Sequence, residues 1–145
     1  RKLSMRNGEV VNELLGEIDD TISDLSDNNL SEIGDSLRQA TGSLKAASIW
    51  LLQNGGGSND EGLAGATPYL RMFGTTVGGW LMAKSALKAQ SLLSESSDNK
   101  DFLEAKIETA TFYAQQLLPQ VSGLLPSVTS GAHSLFAINS ETLRR

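Results

Sequence analysis

LAGATPYLRMFGTTVGGWLMAKSA, residues Leu63–Ala86, is the most apolar stretch of the chain. Between Glu61 and Lys84 its one charge is Arg71, and it holds four glycines (Gly65, Gly74, Gly78, Gly79), Pro68 and one of the two tryptophans, Trp80. A transmembrane helix needs ~20 predominantly apolar residues. The uncharged run here, Met72–Ala83, is twelve residues long, the length of a buried core helix, and Arg71 would cost about 2.5–3.5 kcal/mol in lipid. A phosphate-binding glycine loop needs its glycines between a strand and a helix, with a lysine and a hydroxyl in the P-loop case. Instead Leu70, Phe73, Val77 and Leu81 run through the glycines at helical spacing. The segment therefore reads as a central helix packed on several sides. An interior glycine costs ~1 kcal/mol of helix propensity, so compensation is expected: Gly74 and Gly78, one turn apart, would admit a neighbouring backbone.

The remaining composition narrows the function classes. A chain of 145 residues forms one domain that buries about 68–70% of its unfolded surface. The absence of cysteine removes disulfides and thiolate metal sites and suits a reducing compartment, the cytoplasm. A net charge of −5 argues against a nucleic-acid partner, which requires a basic face. The opening RKLSMRNGEV has no apolar run of a signal peptide; residues 1–7 read as a linker remnant, and the chain as a fragment of something longer.

Outward from the centre, the periodicity is helical throughout. Val11, Leu14, Leu15, Ile18, Ile22 and Leu25 mark an amphipathic helix from about Gly8 to Leu25, broken by Asp27-Asn28-Asn29. A second helix keeps strict heptads, Leu30, Ile33, Leu37, Ala40, Leu44, Ala47 and Leu51, the pattern of shallow-angle packing. It should end at Asn54-Gly55-Gly56-Gly57, where glycine supplies positive φ. Ser58-Asn59-Asp60-Glu61 matches a capping box and would start the central helix, which Pro68 should kink near Ala64–Pro68 and which should run to about Leu93. The fourth helix reads Leu103, Ile107, Ala110, Ala114, Leu117, Val121, Leu124 and Val128. It is expected to continue, kinked, across Pro119, with Pro126 ending it or beginning a looser turn. The tail, residues 132–145, places Leu135, Phe136 and Ile138 close together as a plug over one end. The predicted fold is all-α: an antiparallel up-down four-helix bundle with long kinked helices and a short C-terminal plug.

Chemistry is sparse in this pattern. The single histidine, His133, has no glutamate three residues before it, as a di-iron bundle requires, and no G-x-S-x-G elbow accompanies it. Glu104 and Glu108 share a helix face with Lys106 between them and read as a solvated surface. Trp50, Tyr69, Trp80 and Tyr113 read as core and rim aromatics. Arg71 must reach the surface or be paired, with a carboxylate on an adjacent helix or with another domain. Arg71, Tyr69 and Trp80 are thus candidates for structural or interdomain contact, and no catalytic, cofactor or metal residue can be assigned.

One long motif is more specific. Leu63-Ala-Gly-Ala-x-Pro68-Tyr-Leu-Arg71-x-Phe-Gly74-x-x-x-Gly78-Gly79-Trp80-Leu is preceded by Ala47-x-x-Trp50-Leu51-x-x-Asn54-Gly55. It is followed by Ala105-Lys106-x-x-Thr109-Ala110-x-Phe112-Tyr113-Ala114-x-x-Leu117-Leu118-Pro119 and by Gly131-Ala132-x-Ser134-Leu135. This ordered set, over roughly residues 35–137, resembles the C-terminal helical domain of one bacterial branch of the acyl-CoA dehydrogenases, that of 3-methylmercaptopropionyl-CoA dehydrogenase. The resemblance implies a parent enzyme of fatty acid metabolism in which a glutamate removes the α-proton of an acyl-CoA and FAD takes the β-hydride, giving the trans-2-enoyl-CoA. The base and the flavin contacts belong to an upstream core that is not recognisable here. The implied role is a non-catalytic accessory domain packed on that core or on a sister subunit of a homo-oligomer. The residues alone equally allow a free-standing helical interaction module.

Overall fold

The computed structural model describes residues 8–55, 60–95, 99–138 and 141–144, and everything regular among them is helical. Six α-helices follow in order: α1 (Glu9–Asp27), α2 (Ser31–Asn54), α3 (Asp60–Ala64), α4 (Ala66–Glu95), α5 (Lys100–Gln116) and α6 (Pro119–Thr129). Short 3-10 turns follow at His133–Leu135 and Thr142–Arg144.

The patterns of α1 and α2 translate directly into burial. Leu15, Ile18, Ile22 and Leu25 of α1 are buried, as are Ile33, Leu37, Ala40, Leu44, Ala47 and Leu51 of α2. Between them the backbone closes α1 with Leu30 N–H donating to Leu25 O at 2.9 Å, and Asn29 takes the left-handed conformation at φ 60°, which asparagine tolerates better than most residues. Buried Thr41 and Ser48 widen the inward face of α2; their hydroxyls donate to the carbonyls of Leu37 and Leu44 at 2.8 Å, which removes the cost of burying them. With its inward face this broad, α2 packs against α1, α4, α5 and α6.

Three features define the central segment, which packs on several sides as expected. First, the helix is interrupted at Gly65, within the Ala64–Pro68 stretch where a kink is expected, and Pro68 becomes the third residue of α4, where its missing N–H would have had no intrahelical partner. Glycine is needed at this position, since a Cβ on Gly65 would lie 2.9 Å from the carbonyl oxygen of Val128 in α6. Second, α4 is not enclosed all round. Met72, Thr76, Gly79, Ala83 and Ala86 face inward, while Leu70 is 70% and Leu81 54% exposed. Third, the glycines divide differently. Gly79 accommodates Leu118, whose Cδ2 would be 2.5 Å from an added Cβ, and Gly78 accommodates the Tyr113 phenol, whereas nothing lies within 4 Å at Gly74. The glycine pair receives side chains of α5 and the α5–α6 junction, not a backbone.

The expected kinked helix across Pro119 is also corrected. The chain turns at Leu117–Leu118, where the N–H groups of both residues donate to Tyr113 O at 3.0 and 3.2 Å, and Pro119 opens α6. Pro119 has no N–H with which to continue the ladder, whereas Pro126 is accommodated inside α6. The extra residue in this turn makes Leu118, at 1% exposure, the inward residue.

Two ends also differ. Gly55 has φ −97° and not the positive φ anticipated; its use is close approach, since a Cβ on Gly62 would sit 2.7 Å from Gly55 Cα. Gly56, Gly57 and the capping-box residue Ser58 lie outside the described residues. The apolar plug does not form: Leu135, Phe136 and Ile138 are 65%, 68% and 61% exposed. Another contact closes that end. Gly131, at φ +70°, lets the Ala132 N–H donate to Glu61 Oε2 at 2.8 Å, and a three-residue 3-10 turn then carries the tail outward.

Candidate functional site

The three candidate contact residues fall on different sides of α4. Trp80 is half-buried against the core, and its indole N–H donates to Thr21 Oγ1 of α1 at 2.8 Å; that hydroxyl in turn donates to Glu17 O at 3.0 Å. Lys84 Nζ lies 4.7 Å from the centre of the Trp80 ring, within cation–π range. Tyr69, near the other end of α4, shares a 2.8 Å hydrogen bond with Ser48 Oγ of α2. Because the Ser48 hydroxyl also lies 2.8 Å from Leu44 O, the Tyr69 hydroxyl is the donor to Ser48. Burial pushes the Tyr69 phenol above its ordinary 10.0, opposed by the Ser48 hydroxyl, which can turn to donate to the phenolate, and burial also raises Tyr113. Tyr69 and Trp80 thereby join α4 to two different neighbours.

Arg71 is exposed, and the carboxylate pair anticipated for it does not form among the described residues. It lines an open groove of about 510 Å³ between α4 and α6, together with Gly74, Thr75, Gln120 and Leu124. The Tyr113 hydroxyl donates to Thr75 O at 3.1 Å and fixes α5 beside this groove. The sequence marks Arg71 by its charge within an apolar run and Leu124 as an inward heptad position; Gln120 carries no such signal, and the turn at Leu117–Leu118 helps set which side of α6 meets α4.

The titratable groups elsewhere are dispersed. Lys100 pairs with Glu104 at 3.6 Å with both ends exposed, and Lys106 lies over the Phe102 ring at 5.2 Å. His133 is exposed in its 3-10 turn. No cluster of three metal-ligating side chains occurs among the described residues. The groove does not fit a flavin: it is open, it has no aromatic wall, and its five lining residues offer no enclosure for an isoalloxazine ring. What the side chains support is contact chemistry, a guanidinium without a carboxylate partner among the described residues, on a helix with exposed apolar groups.

With this all-helical arrangement goes a family assignment: the chain belongs to the family described as acetyl-CoA dehydrogenase C-terminal like, whose profile matches residues 14–139. Among characterised proteins it is similar to 3-methylmercaptopropionyl-CoA dehydrogenase of Ruegeria pomeroyi (strain ATCC 700808 / DSM 15171 / DSS-3), with 34% identity over 103 residues. Those residues are 71% of this chain and 17% of that protein's length. The family match takes in α1, whose plain amphipathic pattern had carried no resemblance of its own.

Proposed function

We propose that this chain is the accessory C-terminal domain of an FAD-dependent acyl-CoA dehydrogenase, which oxidises an acyl-CoA to the trans-2-enoyl-CoA. In this reading it packs on the catalytic core or on a sister subunit of a cytoplasmic homo-oligomer and supplies no catalytic group itself. The observation that carries the reading is the family match over residues 14–139. The 17% share of the relative's length supports placing the chemistry, and the flavin, in the rest of the parent chain. The contacts of α2 and α4 with every other long helix suit an up-down antiparallel bundle of four rods, with α5 and α6 as the two halves of the fourth. No helix among the described residues is long and apolar enough to cross a membrane.

The exposed Leu70 and Leu81 would also suit a free-standing interaction module, and the mass of the native product separates the two. A polypeptide several-fold heavier than 15.5 kDa, recovered from the source cells with an antibody to this domain and showing flavin absorbance, is the expected result. A native product near that mass without flavin would overturn the dehydrogenase reading.

A further inference from the structure

The outward side of α4 is unlike the outward side of α1. All seven carboxylates of α1 (Glu9, Glu13, Glu17, Asp19, Asp20, Asp24, Asp27) are exposed, as expected of a helix that meets water. From Ala66 to Leu81 the exposed positions of α4 are Ala66, Thr67, Leu70, Arg71, Gly74 and Leu81, with no carboxylate among them. On α5, Tyr113 touches Thr75 and Gly78, and the residue before it, Phe112, is 62% exposed. Gly74 has no internal explanation, since a Cβ there would meet nothing within 4 Å, although a helical glycine costs ~1 kcal/mol against alanine. Its missing side chain leaves the α4 backbone open to approach from outside. Arg71 adds a cation with no carboxylate partner among the described residues, and α4 as a whole carries Arg71, Lys84 and Lys88 against Glu95.

We propose that this stripe, Leu70, Arg71, Gly74 and Leu81 with Phe112 and Gln120 at its edges, is the face that docks on the catalytic core of the parent dehydrogenase, and that a carboxylate of the core enters the groove beside Arg71. The inference rests on the accessory-domain reading above. Two observations select the occupant. The matched segment is 17% of the similar dehydrogenase, so a far larger folded body accompanies a domain of this kind. The cationic, apolar character of the stripe calls for an apolar surface bearing carboxylates, with Arg and aromatic side chains as its anchors.

The test is hydroxyl-radical footprinting of the native full-length polypeptide, read by mass spectrometry. Leu70, Leu81 and Leu135 are 70%, 54% and 65% exposed, and Phe112 and Phe136 are 62% and 68% exposed, so each stripe residue has a reference of its own type in the tail. Docking on the core predicts that Leu70, Leu81 and Phe112 are oxidised roughly tenfold less than Leu135 and Phe136, the contrast between an interface centre and open surface. Arg71→Glu should raise oxidation of Leu70 towards that of Leu135 while the bound flavin and the oxidation of the tail stay unchanged. Equal oxidation of stripe and tail in a long, flavin-bearing chain would overturn this inference and leave the accessory-domain reading standing. Protection that disappears on dilution to monomers would assign the stripe to a second copy and overturn it as well. A native product near 15.5 kDa would remove both.

Discussion

The Tyr113 hydroxyl reaches across from α5 to donate to Thr75 O at 3.1 Å, and its ring end occupies the space where any side chain at Gly78 would stand. The next glycine, Gly79, does the same for Leu118. Two adjacent glycines on the most apolar helix thus set the distance between α4 and the α5–α6 rod.

From this, alanine scanning of the glycines should give opposite signs. Gly79→Ala forces buried Leu118 to move, an overpacking cost of about 1–3 kcal/mol only partly offset by ~1 kcal/mol of helix propensity. Gly74→Ala meets open space and should stabilise the domain by about 0.4–1 kcal/mol. Urea unfolding midpoints of the two variants check both signs.

Thr21 accepts the only indole hydrogen bond of Trp80 seen among the described residues. Thr21→Val preserves shape and leaves that N–H without its partner, at a cost of about 1–3 kcal/mol, whereas Thr21→Ser keeps the hydroxyl and should cost less. Denaturant titration followed by tryptophan fluorescence measures the difference.

Tyr69 gives an alkaline limb to stability. Its pKa in the folded domain is raised by burial above the ordinary 10.0, so the folded state holds the proton more tightly than the unfolded state. That contribution is full below pH 10.0 and is lost as pH rises through the folded value. In Tyr69→Phe the Ser48 hydroxyl keeps Leu44 O as its acceptor, and the fall in stability on passing pH 10.0 should be shallower than in the parent. Chemical denaturation at a series of alkaline pH values checks the slope.

Gly131→Ala should weaken the contact between the end of α6 and Glu61 on two counts. The residue sits at φ +70°, and a Cβ would collide with the Glu61 carboxylate that holds the Ala132 N–H. A non-glycine residue in that backbone region costs about 1–3 kcal/mol. Hydrogen exchange at Ala132 should accelerate in this variant, and in Glu61→Ala, relative to exchange in the middle of α2.

The parts of this fold that sequence discloses are those governed by local periodicity. The heptads of α2 place Ile33, Leu37, Leu44 and Leu51 inside without exception, because a stripe repeated over several turns has one way to be buried. Arg71 stood out because a charge within an apolar run is costly wherever it goes. What the pattern concealed depends on neighbours distant in the chain. Pro68 marks the interruption of the helix only to within a turn, and the close approach of the Val128 carbonyl that requires glycine at position 65 comes from a distant part of the chain. Heptad spacing suits Leu117 and Leu118 almost equally, and the two N–H groups that share the Tyr113 carbonyl choose between them. The tail's apolar cluster looked like a plug because nothing local revealed that Glu61 already closes that end.

Ser43 of α2 and Ser122 of α6 share a 3.0 Å hydrogen bond, and the two helices pack extensively. On the ribosome this pairing imposes a waiting time. Asn54 ends α2 and Pro119 begins α6, so at ~5–20 residues per second the inward face of α2 spends several seconds without its last partner. The apolar face of α2, with Leu37 and Leu44 in it, stays incompletely covered for that interval.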